Sequence, residues 1–88
     1  MKIFLVTFMA SGPLQQTIID IIKRNSAWAR INQSAYCIKR DNMNATEVRD
    51  SISNNVEGEF RLFVVDITNS YWGSYGLPAE VTNWLKDQ

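Results

Sequence analysis

Histidine is absent from the chain, cysteine occurs once, proline twice, and no charge of either sign is in excess. Without histidine the commonest general base and the commonest metal ligand are gone, so any catalysis would fall to carboxylates, Tyr, Lys or Ser. The single cysteine, Cys37, rules out an internal disulfide and any zinc site built from several thiolates. Nine basic residues cancel nine acidic ones. That balance argues against strong, sequence-independent nucleic-acid binding, which relies on a basic surface. It also leaves little electrostatic protection against self-association. The three glycines that flank possible loops, Gly12, Gly73 and Gly76, do not build a phosphate-cradling motif, because no Lys-Ser or Lys-Thr follows them. The apolar opening Ile3-Phe4-Leu5-Val6-Thr7-Phe8-Met9-Ala10 is too short for a membrane span. Its β-branched and aromatic content suits a buried strand better than a signal peptide. With the free cysteine, this leads to the expectation of a cytoplasmic protein with no membrane partner.

What is present fits one domain over residues 1–88, with 69–88 as an aromatic C-terminal extension. A chain of 88 residues buries only roughly 60–65% of its unfolded surface, so the core is thin. Three Trp, three Tyr and four Phe supply bulk. A first strand is expected over Lys2 to Phe8, with Ile3, Leu5 and Thr7 on one side and Phe4, Val6 and Phe8 on the other. Ser11-Gly12-Pro13 breaks it and starts a helix from Pro13 to Arg24, ended by Asn25-Ser26. Leu14, Ile18, Ile21 and Ile22 form its apolar stripe, and Lys23 and Arg24 complement the dipole of its last turn.

Residues 28–39 read as a hairpin around Gln33-Ser34. A two-residue turn would set Ile31 opposite Tyr36 and Ala29 opposite Ile38, leaving Trp28, Arg30, Cys37 and Lys39 on the other face. Asn44-Ala45-Thr46-Glu47 is a capping box, followed by a helix to about Asn54 that buries Ala45, Val48 and Ile52. Glu57-Gly58-Glu59 turns the chain into a strand from Arg61 to Thr68. Pro78-Ala79-Glu80 opens a short last helix carrying Val81, Trp84 and Leu85.

The order strand, helix, strand, strand, helix, strand is an α+β, ferredoxin-like β-α-β-β-α-β arrangement. It implies a four-stranded antiparallel sheet, two helices on one face by right-handed crossovers, and the short C-terminal helix besides. The first and fourth strands are apolar on both sides, yet the two helices shield only one. The second face must be covered by the tail, a partner or another copy, and a sheet-mediated homodimer is the simplest solution. Phe4, Val6, Phe8 and Val64, with Tyr71, Trp72 and Tyr75 of the tail, are the expected interface residues.

With these elements in order, the chain resembles the small CRISPR adaptation nuclease family and its SinR-like and VapD-like relatives. The likeness lies in the strand Lys2-Ile3-Phe4-Leu5-Val6, the hairpin entry Trp28-Ala29-Arg30-Ile31, and Ser34-Ala35-Tyr36-Cys37-Ile38. It continues through the strand Arg61-Leu62-Phe63-Val64-Val65-Asp66-Ile67 and the closing Asn83-Trp84-Leu85-Lys86. The resemblance implies a ferredoxin-like homodimer and, in some members, a metal-dependent nuclease whose ion is held by an aspartate ending the first strand. Here that stretch is Thr7-Phe8-Met9-Ala10-Ser11, and no acid precedes Asp20. Phe8 and Met9 offer no oxygen ligand to a hard cation.

Three groups of residues are weighed as sites. Asp66 stands in an apolar strand on the side of Leu62 and Val64, where it would be a metal ligand or general base at a dimer axis, or a strand-end carboxylate bonded to Arg or backbone N–H. Arg30, Lys39 and Arg40 would form a basic hairpin patch for phosphate, or a solvated surface balanced by acids. Tyr71, Trp72 and Tyr75 would anchor an interface, fold down as core cover, or stack on bases. Cys37 reads as a buried, inert thiol, and Met9 and Met43 as gap-fillers. The expected function is a catalytically inactive homodimeric module that binds a protein or nucleic-acid partner without a cofactor, with a role in microbial or phage defence implied by the resemblance alone. The alternative is a metal-dependent endoribonuclease or toxin using Mg or Mn.

Overall fold

The computed structural model describes residues 1–24 and 27–88. Its elements are β1 (Lys2–Ala10), α1 (Gly12–Lys23), β2 (Trp28–Asn32), β3 (Ala35–Arg40), α2 (Ala45–Ser53), β4 (Phe60–Asp66) and α3 (Ala79–Lys86). The strands form one sheet in the order β2-β3-β1-β4, with every neighbouring pair antiparallel. This is the ferredoxin-like α+β arrangement, with β1 and β3 in the centre. The expected stop of α1 at Asn25-Ser26 lies outside the described residues.

Local chemistry accounts for the element ends. Pro13 sits in the first turn of α1, where its missing N–H costs nothing. In α2 the capping box is complete: Asn44 Oδ1 accepts from Glu47 N–H at 2.8 Å, and Glu47 Oε1 accepts from Asn44 N–H at 2.9 Å. Gly58, between α2 and β4, has φ +126, and a Cβ there would stand 2.8 Å from Leu14 Cδ1. Only glycine meets both demands.

One core lies between the sheet and α1 with α2. Phe4, Val6 and Phe8 of β1, Tyr36 and Ile38 of β3, Ile18, Ile19 and Ile22 of α1, and Val48 and Ile52 of α2 are buried together. Leu62 and Val64 pack against them from β4. The helices therefore take the Phe4 side of β1, not the Leu5 side. The expectation that Phe4, Val6, Phe8 and Val64 meet a second copy is corrected by this packing: α1 and α2 already occupy that side.

The hairpin register also differs from expectation. Asn32 pairs with Ala35 across the turn as a two-residue turn requires, but the register then shifts, and Arg30 pairs with Tyr36, Ala29 with Cys37 and Trp28 with Ile38. An extra residue at Ile31, a β-bulge, moves every earlier β2 side chain to the other face. Trp28 consequently lies on the helix side, 5.8 Å from the Tyr36 ring, with Lys23 Nζ 5.2 Å from its own ring centre. Ala29 is buried on the far side, next to Cys37.

Candidate interaction face

The side of the sheet away from α1 and α2, here the outer face, carries Ile3, Leu5, Thr7 and Met9 from β1, with Ala35, Cys37 and Lys39 from β3, Ala29 from β2, and Arg61, Phe63 and Val65 from β4. It is divided in two. The β2–β3 half is covered by the C-terminal tail: α3 approaches β2, and a shallow cleft there is lined by Ala29, Glu80, Val81 and Trp84. Further along, a cavity of about 200 Å³ lies between the tail and the sheet, lined among others by Ile3, Lys39, Ile67, Thr68, Trp72 and Leu85. Ile3, Ala29 and Cys37 are accordingly buried.

The other half is open. Met9 is 68% exposed and Phe63 64% exposed, side by side across the β1–β4 ladder, where Thr7 pairs with Phe63 and Met9 with Arg61. Leu5 and Val65, paired with each other, are half-buried and carry the apolar strip inward. Arg61 is the charged residue of β4 on this side. Met9 and Phe63 thus bring two large exposed apolar side chains together on one small patch.

Asp66 ends β4 in solvent. Its Oδ1 accepts from Thr68 Oγ1–H at 2.6 Å and Thr68 N–H at 2.9 Å. Thr68 Oγ1 in turn accepts from Ile3 N–H at 3.0 Å, and Ile67 N–H donates to Ile3 C=O at 2.9 Å. The acid thus ties the exit of β4 to the start of β1. The hydroxyl and then the backbone N–H of Thr68 hold its carboxyl below the usual carboxylate range. Among the described residues no group of three or more His, Cys, Asp or Glu side chains is placed to hold a metal ion.

The basic residues do not converge. Arg30 shares the helix side with Tyr36, whereas Lys39 lies on the outer face against the tail cavity. Arg40, half-buried, is on the opposite side of β3 from Lys39. The bulge at Ile31 separates the pair that an unbroken hairpin would have joined. Tyr71 and Tyr75 are fully exposed, while Trp72 leans onto the cavity, so the three aromatics act separately. Cys37 is buried, and burial pushes its thiol up to about 11. It therefore stays protonated at neutral pH and is a poor nucleophile.

Met9, Phe63, Leu5 and Val65 are the surface residues that pattern-reading missed. Their signal was present as strand parity, since each lies one residue from the side the helices take. Among the described residues no helix is long and apolar enough to cross a membrane. No protein family, curated protein or solved structure matches the chain.

Proposed function

We propose that the chain is a non-catalytic binding module that pairs with a second copy through the open part of its outer sheet face. The observation that carries this is the exposed pair Met9 and Phe63, continued inward by Leu5 and Val65. A patch with a single cation and a chain of zero net charge present no electrostatic barrier to meeting an identical surface. A C2 contact is the commonest way for such a patch to be buried. The position of Asp66 supports the non-catalytic part: it faces solvent, it is engaged by Thr68, and it stands at the opposite end of β1 from Met9. The resemblance to the CRISPR adaptation nuclease family is the ground for proposing a cytoplasmic role in microbial or phage defence, exercised through a protein or nucleic-acid partner.

Sedimentation across a concentration series tests the pairing. Wild type should pass from monomer to dimer, and Phe63→Asp should stay monomeric with its unfolding midpoint unchanged. A wild type that remains monomeric at the highest concentration sinks the proposal. Incubation of the chain with RNA and added Mg²⁺ or Mn²⁺ tests the other part. Cleavage abolished by Asp66→Asn would replace the binding module with a metal-dependent endoribonuclease.

A further inference from the structure

The tail holds the outer face by a different kind of contact from any other element. Among the described residues, no hydrogen bond or ion pair joins residues 71–88 to the sheet; those that the tail makes are internal, such as Val81 N–H to Pro78 C=O and Gln88 Nε2–H to Trp84 C=O. Only Val81 of α3 is buried, with Trp84 and Leu85 half-buried beside it. The segment leading to α3 holds Gly73 and Gly76 and two fully exposed tyrosines, Tyr71 and Tyr75, and meets the sheet through Trp72 at the cavity. α3 also begins without a side-chain cap. A short helix held by a few apolar contacts, on a tether with no polar attachment, belongs to the low-stability end of a structure.

Beneath this tail lies apolar surface continuous with the open half. Ala29, Cys37, Leu5 and Val65 form one row across the ladder, with Ile3 in the row on one side and Phe63 in the row on the other. The two halves differ in what they offer a partner. Four strands about 4.8 Å apart, each roughly seven residues of about 3.3 Å, present a footprint on the order of 400 Å². A stable interface takes about 800 Å² of accessible surface from each partner. By footprint the open half offers about a quarter of that area and the whole face about half, so lifting the tail roughly doubles the surface a partner can cover.

We infer that α3 and the loop before it form a displaceable cover over the β2–β3 half of the outer face, and that a second copy competes with the tail for this surface. The competition rests on the self-pairing proposed above; the displaceable cover does not. Lifting the tail joins the two halves into one apolar face, so the docked tail restrains association and its release strengthens it. Cys37 reports the event, because it is buried on the outer face, and among the described residues the tail is the segment that packs on the β2–β3 half of that face. With the tail lifted, the thiol meets solvent and loses the burial that keeps it protonated.

The experiment uses the full chain at dilute concentration, labelling Cys37 with an aromatic disulfide reagent at pH 8. Val81→Asp and, separately, Trp84→Ser weaken the tail, and Ile52→Ala, in the core on the other face, serves as a control for global unfolding. Both tail variants should label at least tenfold faster than wild type while keeping its thermal midpoint, and should sediment with a larger dimer share at higher concentration. Ile52→Ala should lower the midpoint without a matching gain in labelling. Equal labelling in wild type and both tail variants overturns the cover, as does labelling that merely follows the midpoint through all variants. Fast labelling with no dimer in any variant upholds the cover and eliminates the self-pairing.

Discussion

The two faces of the sheet are built from the same four strands and protected in different ways. On the inner face Phe4, Val6, Phe8, Tyr36 and Ile38 meet two helices that contribute Ile18, Ile19, Ile22, Val48 and Ile52, and the contact is closed. On the outer face the side chains are smaller or polar toward β2 and β3, with Ala29, Ala35, Cys37 and Lys39, and a short helix packs on β2 by apolar contact. Toward β4 no described residue covers Met9 and Phe63. Bulk decides the division: the helices bury the side with the larger apolar surface, since the gain runs at roughly 25 cal/mol per Å². Stability accordingly resides on the inner face, and the proposed interaction on the outer one.

Substitutions matched across the sheet sharpen this contrast. The largest effect is expected from Phe4→Ala, which opens a cavity beneath both helices and should cost about 3–5 kcal/mol in denaturant unfolding. A loss of less than about 1 kcal/mol would mean that the inner face is not the sealed one. Alkaline titration comes next. The folded thiol of Cys37 titrates near 11 against an ordinary value of 9.0, so above pH 9 the unfolded chain loses its proton while the folded one keeps it. Stability should therefore fall between pH 9 and about 11, and Cys37→Ala should lack that part of the decline. Persistence of the full decline in the variant would deny Cys37 its buried place.

Gly58→Ala should cost more than about 1 kcal/mol, because the new methyl group both strains a left-handed backbone and presses on Leu14. Asn44→Ala, which removes half of the capping box, should cost about 1 kcal/mol by the same measurement. Phe63→Ala should change stability by no more than about 0.5 kcal/mol despite removing an aromatic ring, since that ring faces water in the monomer. A large loss there would show Phe63 to be packed within one chain.

The order of elements and the capping box were legible because each rests on local signals: the β-branched and aromatic run Ile3 to Phe8, the 3.6-residue stripe of Ile18 and Ile22, and the Asn44–Glu47 pair. The choice of face was not legible from β1 alone, where both sides are apolar. The difference lies in β3, in which Tyr36 and Ile38 alternate with Ala35, Cys37 and Lys39. Reading β2 against β3 required the bulge at Ile31, and no residue near Gln33-Ser34 announces it. That one extra residue removed the basic patch, since it sent Arg30 and Lys39 to opposite faces. Asp66 illustrates the converse: its strand suggested burial, but its place at the strand end, with Thr68 two residues on, gave it water and two hydrogen bonds instead.

Hydroxyl-radical oxidation of the methionines, followed across a concentration series, probes the outer face most directly. Met9 should oxidise readily in dilute solution and become protected as copies meet, while half-buried Met43, packed against the inner core, stays constant. Met9 oxidising at one unchanged rate from dilute to concentrated protein would contradict the account.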